Sequence, residues 1–509
     1  MESGCFCFPV VTMSEYFHKL FIFEMANNHQ GSVEHGKRII DAMADIAKKH
    51  SIRAGIKFQF RDLDTFIHPR FRNDTNAKHI SRFLGTRLSR EQFQEMIAYA
   101  RSRGLLAIST PFDEASVDQC TEQDIDIIKV ASCSAMDWPL LDAVSRSGKP
   151  VIISTAGVQF SDIDKIVSFF SHRGVTFAVL HCVGMYPAPD TELNLDIIPR
   201  MIKRYPAIPI GYSGHEAPDN THVAIAAVSK GAMLLERHVG VPTDGATLNA
   251  YSMNPQQTDA WVQAAKLAWE MAGSNEKIVP GGEAASLRSL MRGTYARTAI
   301  KAGQVLRPED VYFAMPVQEG QLTSGEFGGY RAVFAASRDY APDEPIYEVQ
   351  KEDPVLLARE VIHQAQGMLN EAGIHVGDDS TIELSHHYGM ERFREVGAVI
   401  VNIINREYCK KLIIMLPGQR HPLHQHERKE ETFELLSGDL EVQLDGAITR
   451  MIPGDRLLVK RNSSHSFFTK EGAIFEEIST THYKGDSFYE DKEISALDPM
   501  QRKTVVASF

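Results

Sequence analysis

Cysteine is scarce in this chain, and so are long apolar runs and positive charge. Six cysteines (Cys5, Cys7, Cys120, Cys133, Cys182, Cys409) in 509 residues are too few and too scattered for a disulfide framework, so a reducing cytoplasm is the expected compartment. Cys5 and Cys7 form a C-x-C pair without further ligands, a poor signal for metal or redox chemistry. No run approaches the ~20 apolar residues of a membrane span. FCFPVV follows an acidic Glu2 rather than a basic segment, so no signal peptide is expected, and Met13 offers an alternative start. A net charge of −12 argues against nonspecific nucleic-acid binding, while leaving room for a small anion held by a few local cations. Neither an internal repeat nor a low-complexity tract is present.

What the chain does have is a rhythm. Eight short apolar runs each end in residues able to do chemistry: LFIFE at Glu24, GIKFQ at Lys57 and Gln59, LLAIST at Thr110, DIIKVAS at Lys129 and Ser132, PVIIST at Ser154, FAVLHC at His181, IPIGYSGH at Ser213 and His215, and MLLERH at Glu236 and His238. Amphipathic patterns such as HGKRIIDAMADIAKKH and SREQFQEMIAYARSRG lie between them. Buried strand and helix thus alternate eight times, the order of a (β/α)8 TIM barrel, whose strand C-termini share one rim.

The barrel pattern ends near Lys277, and at roughly 150 residues per domain the length predicts about three domains. A β-rich segment follows (285–350), then an amphipathic helix read as a connector (351–375), with Leu357, Val361, Ala365, Met368 and Leu369 on one face and Gly373 ending it. Closely spaced strands divided by Gly and Pro turns then predict an all-β barrel or jelly roll over 376–490. Residues 1–18 and 491–509 read as tails around a barrel domain of 19–280 and these later parts.

His215 and His238 end consecutive strands, which sets two imidazoles side by side on the rim as a candidate site for a divalent cation. Lys57 and Lys129 interrupt apolar strands, where a buried ammonium needs an anionic partner. A protein carboxylate could supply it; with Ser132, Ser154 and Ser213 on the same rim, a bound phosphate or carboxylate is the better account.

FEMANNHQG, IKFQ, STPFD, IKVAS, IIST, LHC followed by YP, GYSGH and ERH resemble, in order and spacing, the signatures of the sialic acid synthase (nonulosonate synthase) family. The resemblance spans roughly residues 20 to 350. It implies a TIM barrel followed by an antifreeze-like (SAF) module, usually in a domain-swapped homodimer. It also implies condensation of phosphoenolpyruvate with the open-chain aldehyde of an amino sugar or other aldose, with Mn or Mg as divalent metal. Carried over by motif, Lys57, Lys129, Ser132, Ser154 and Ser213 would grip phosphoenolpyruvate and His215 and His238 would hold the metal. Glu24 and Gln59 would sit beside the reacting carbons, Glu24 as acid/base; the metal would polarise the aldehyde, carbon 3 of the enol attack it, and water add at carbon 2 before phosphate leaves. The pattern departs from the family at Ser134 (usually Glu), Gly184 (often Asn), Gly214 (usually Asp), Leu248 (an aspartate) and Met315 (the arginine of the SAF module). Acceptor contacts therefore look rewritten, and a sugar other than plain N-acetylmannosamine is expected.

LPGQRHPLHQHERKEETFELLSGDL and PGDRLLVKRNSSHSFF carry His424, His426, Glu431 and His465 at the spacing of a cupin signature. Adjacent strands can bring three imidazoles and a carboxylate together around Mn, Fe, Zn or Ni, with Glu430 competing with Glu431. Cupins of this kind include sugar isomerases and epimerases, for which Glu430 and Lys429 would be proton carriers. The leading expectation is a phosphoenolpyruvate-dependent synthase whose partners are small molecules, neither nucleic acid nor membrane. Its rivals are a regulatory sugar-binding barrel, and a cupin isomerase using the barrel as scaffold.

Overall fold

The computed structural model describes residues 16–72, 78–243, 247–327, 332–352, 354–377 and 380–506; Cys5 and Cys7 lie outside them. The chain divides into two compact units, Met1–Glu276 and Lys277–Phe509. In the first, β1 (Phe21–Glu24), β2 (Ala54–Phe60), β3 (Leu106–Pro111), β4 (Ile127–Val130), β5 (Val151–Ser154), β6 (Phe177–Cys182), β7 (Ile210–Gly214) and β8 (Leu235–His238) form a closed barrel. All neighbours are parallel, and β1 closes on β8 with Glu24 opposite His238.

Local signals start the helices that cover it. Ser32 caps Val33–His50 by accepting from the His35 amide, and Ser89 with Gln92, like Asn254 with Gln257, makes a capping box. Pro255 follows Asn254 at the first helical position, where its missing N–H costs nothing.

Strand alternation sorts the rest. Ile22, Ile108, Ile127, Ile152, Leu180 and Leu234 join Phe17 and Leu20 in a buried cluster that plugs the lumen, so residues 16–18, expected within a tail, belong to the barrel. Phe21, Phe23, Ile56, Val130, Val179 and Tyr212 face the helices instead. A period of two then puts Glu24, Lys57, Gln59, Lys129, Ser154, Ser213, Glu236 and His238 on the lumen side above the plug. It turns His181, Gly214 and Arg237 the other way. His181 is tied to the Leu193 carbonyl at 2.7 Å, a structural role for a residue that the strand-end pattern placed on the rim.

The second unit begins with a small β module. Gly293–Ala296 pairs with Val311–Ala314, and Ala332–Ala336 with Glu348–Glu352, around a core of Ile300, Leu322, Phe327, Phe334, Tyr340 and Ile346. The helix Pro354–Glu371 is more than a connector: Leu357, Val361, Ala365 and Leu369 are buried against Ile382, Leu384, Val399 and Leu412 of the following sheet. That sheet has seven strands and faces a second sheet of five, with Phe433, Leu435, Val442, Phe467 and Phe475 between them. The segment 491–509, read as a tail, supplies Lys503–Val506, which pairs antiparallel with Thr381–His386. Among the described residues no helix is long and apolar enough to cross a membrane.

Candidate active site

At the lumen end of β1, β2 and β8 the Lys57 ammonium lies 2.5 Å from Glu24 Oε2 and 3.0 Å from Glu236 Oε1, all three side chains almost fully buried. Lys129 donates to Ser154 Oγ at 2.7 Å and to the Val130 carbonyl at 3.0 Å, and is 3.8 Å from Glu236 Oε1. Ser213 donates to the same Glu236 oxygen at 2.9 Å. Glu236 is thus the hub of the rim. The buried lysines, for which sequence favoured a bound anion, find protein carboxylates first. Ser132 stands apart from this hub and accepts from the Ala156 amide at 3.0 Å.

These contacts divide the protonation states. Burial opposes the Lys57 charge, but Glu236 and Glu24 outweigh it and hold the ammonium above its ordinary pKa. Burial lowers Lys129 to about 8, only partly offset by Glu236. Against the cost of burial, Lys129 and Lys57 keep Glu236 well ionised. Burial wins at Glu24 and raises it, making it the carboxyl best placed to carry a proton. Gln59 Oε1 accepts from Arg61 Nη1 at 3.0 Å, and that guanidinium lies 3.5 Å from the Phe112 ring centroid. Arg61 stands two residues beyond Gln59 at the strand end and, like Glu236, drew no site role from the sequence.

His215 and His238 come together, their ring centroids 5.3 Å apart. His215 Nδ1 is 3.0 Å from the Val183 carbonyl, which places the proton there and leaves the Nε2 lone pair free; His238 Nδ1 is buried without a hydrogen-bond partner. Burial lowers His215 to about 4, and burial with neighbouring His215 takes His238 well below the usual histidine range. Two neutral imidazoles with free nitrogens, walled by Tyr186 and Tyr251, fit a divalent cation.

One departure acquires a packing reason, and a second is placed by its contacts. A Cβ at Gly214 would come 2.4 Å from Glu216 Oε2. That carboxylate is buried in an ion pair with Arg237 and accepts from the Tyr212 hydroxyl at 3.0 Å, so this position faces the helices rather than an acceptor. Leu248 packs close over Gly240, its Cδ2 2.6 Å from where a Cβ on that glycine would stand. Gly184, by contrast, has room for a side chain, Ser134 is buried, and Met315 is 57% exposed.

In the β-sandwich, His424, His426 and His465 bring ligand nitrogens within 4.8 Å of one another. Their Nδ1 atoms face the carbonyls of Pro422 (2.9 Å), Asp486 (2.5 Å) and Ser463 (3.2 Å), so the protons sit there and three Nε2 lone pairs point inward. Glu431 Oε2 is 3.5 Å from His426 Nε2 and 3.2 Å from His465 Nε2; among the described residues neither Glu431 Oε2 nor His465 Nε2 has a hydrogen-bond partner. Four lone-pair groups facing one another with no proton between them fit a cation and little else. Lys429 holds the other Glu431 oxygen and donates to Glu477 at 3.1 Å. Glu430 is exposed, so Glu431 is the carboxylate at the centre and Glu430 is no candidate proton carrier there.

Residues 43–277 match the NeuB family model and residues 411–476 the cupin domain model. A crystal structure of a Chromobacterium violaceum ATCC 12472 protein, provisionally named spore coat polysaccharide biosynthesis protein E, is 46% identical. The match covers 65% of this chain and 98% of that one at a TM-score of 0.62. An uncharacterized protein of Methanocaldococcus jannaschii is 31% identical over 297 residues, 58% of this chain and 84% of its own length. The chain belongs to the NeuB family. Mouse N-acetylneuraminate-9-phosphate synthase is 29% identical over 296 residues, 57% of this chain and 81% of its own. The NeuB match ends at residue 277 and the cupin match begins at residue 411, so one chain carries both domains.

Proposed function

We propose that the NeuB barrel condenses phosphoenolpyruvate with the open-chain aldehyde of an aldose or amino sugar, giving a 2-keto-3-deoxy sugar acid and phosphate. The observation that carries this reading is the buried Lys57–Glu24–Glu236–Lys129 network beneath the His215/His238 pair. Lys57 and Lys129, with Ser132, Ser154 and Ser213, bind the carboxylate and phosphate, drawing their charge partly away from Glu236 as substrate arrives. Glu24, raised by burial, exchanges a proton with the reacting oxygen, and Gln59, steadied by Arg61, orients the enol. A divalent ion such as Mn or Mg, held by His215 and His238, would supply Lewis-acid polarisation of the aldehyde. Room at Gly184 supports an acceptor unlike that of the sialic acid synthases. The small β module corresponds to SAF, and the cupin holds its own metal on His424, His426, His465 and Glu431. We assign the enzyme to the cytoplasm, as a homodimer.

The test is phosphate release by the full chain given phosphoenolpyruvate, Mn²⁺ and a panel of hexoses and amino sugars. Release should require both aldehyde and metal; full activity in EDTA, or release without any aldehyde, would overturn the reading.

A further inference from the structure

His424, His426, Glu431 and His465 are only part of the lining of a cavity of about 360 Å³ inside the cupin. Three more lining histidines, His387, His421 and His482, belong to no ligand set. His387 and His421 stand 4.7 Å apart, ring to ring, and His421 is 4.8 Å from His424. Among the described residues His387 and His421 each have a buried Nδ1 without a hydrogen-bond partner, and His387 is itself only 1% exposed. The far nitrogen of His387 is 3.0 Å from the Tyr489 hydroxyl, and the Tyr489 ring stacks on His424 at 5.2 Å. Buried polar atoms of native proteins are nearly always paired, so two orphaned imidazole nitrogens on one wall point to a hydrogen-bonding ligand.

The cavity mouth adds a charge. Five cationic and four anionic side chains line the cavity, and most are spent on one another. Lys503 is 3.0 Å from Glu383, Lys411 is 3.5 Å from Glu477, and Lys429 is held between Glu431 and Glu477. Arg502 has no carboxylate within 4.0 Å among the described residues. Its guanidinium lies 5.0 Å from the Tyr489 ring centroid, and the pairing of Lys503 with Ser385 fixes the backbone beside it. Lys484, exposed on the same lining, is likewise without an ion pair among the described residues. A half-buried guanidinium stacked on an aromatic ring with its fork unused is suited to a carboxylate or phosphate.

We propose that the cupin cavity binds an anionic, polyhydroxylated small molecule. Its carboxylate or phosphate sits on Arg502, its hydroxyls on His387 and His421, and its far oxygens at the His424/His426/His465 end. The last placement rests on reading the quartet as a metal site; none of it depends on the barrel's chemistry. A sugar acid and a sugar phosphate share this chemistry.

The experiment is calorimetric titration of the full-length, Mn²⁺-loaded protein with D-glucuronate, D-glucose 6-phosphate and D-glucose. At least one anion should bind about tenfold or more tightly than glucose, and Arg502→Met should remove most of that advantage while Arg502→Lys restores part of it. Dependence on Arg502 separates cupin binding from any anion taken up by the barrel. A stronger response to glucuronate identifies a carboxylate ligand, and a stronger response to glucose 6-phosphate a phosphate. Should Arg502→Met fail to fold, Lys484→Ala on the exposed rim should weaken the same anion. The proposal is overturned if neither anion outcompetes glucose, if no probe binds, or if Arg502→Met binds both anions like the unaltered protein. Because binding is read without turnover, a barrel that fails to condense phosphoenolpyruvate leaves this result interpretable.

Discussion

The barrel rim and the cupin cavity are both lined with histidine, lysine and glutamate, yet they differ in how far those groups satisfy one another. At the rim nearly every charge is neutralised within the chain: Lys57 by Glu24 and Glu236, with Lys129 and Ser213 also turned toward Glu236. Among the described residues the cupin leaves Glu431 Oε2, His465 Nε2, His387 Nδ1 and His421 Nδ1 buried and unpaired, where the rim leaves Glu236 Oε2 and His238 Nδ1. Ion-paired groups must rearrange to accept a ligand, whereas unpaired buried atoms are preorganised for one and held at a cost without it. The same residue types are thus held mostly by ion pairs at the rim and leave more unpaired nitrogens in the cupin.

The sharpest way to break this comparison is to unbalance the rim. Lys57→Met leaves Glu24 and Glu236 buried without their shared cation, and should cost about 3–5 kcal/mol of unfolding free energy, read by urea denaturation. Phosphate release should fall by about 100- to 1,000-fold. A variant of unchanged stability would mean that the rim is not the closed network described.

Metal content separates the two sites next. Elemental analysis after dialysis against Mn²⁺ should find two ions per chain, and one after either His238→Ala or His424→Ala. If His424→Ala keeps both ions, the cupin quartet does not bind as drawn.

A further substitution probes a barrel contact outside the lumen. Glu216→Gln leaves the Arg237 guanidinium buried beside a neutral amide, and should lower stability by about 3 kcal/mol while retaining detectable phosphate release.

The smallest expected effect concerns pH. Lys129 titrates near 8 in the fold against 10.5 for a free lysine. Below pH 8 it is charged and can hold an anion. Above pH 8 it loses that charge in the folded protein first, so KM for phosphoenolpyruvate should rise severalfold between pH 8 and 9.5. Between 8 and 10.5 the unfolded chain binds the extra proton, so this group's contribution to stability grows as pH rises through that window. Lys129→Arg, charged throughout, should flatten the KM profile; an unchanged profile would remove Lys129 from substrate binding.

Much of this was legible in the sequence because barrel strands are short, apolar and end on chemistry. Glu24, Lys57, Lys129, Ser154, Ser213, His215 and His238 could all be placed from strand ends alone. Alternation was the unused signal: it separates His181 and Gly214, which face the helices, from Glu236, which faces the lumen. Glu236 was in view at the end of β8, but nothing in a linear pattern says which of several carboxylates meets a buried lysine. The cupin quartet was legible for a different reason, since His424, His426 and Glu431 fall within one hairpin-length motif. Arg502, His387 and Tyr489 were not, because the wall they share is assembled from segments about a hundred residues apart, joined only when Lys503–Val506 pairs with Thr381–His386.

The most direct test of the central claim follows the bridging oxygen of phosphoenolpyruvate. With a heavy-oxygen label in that position, Mn²⁺ and an accepted aldose, condensation through carbon 2 breaks the C–O bond and sends the label into the released phosphate. Label retained in a keto acid would show P–O cleavage and contradict the assignment of this barrel as a condensing synthase.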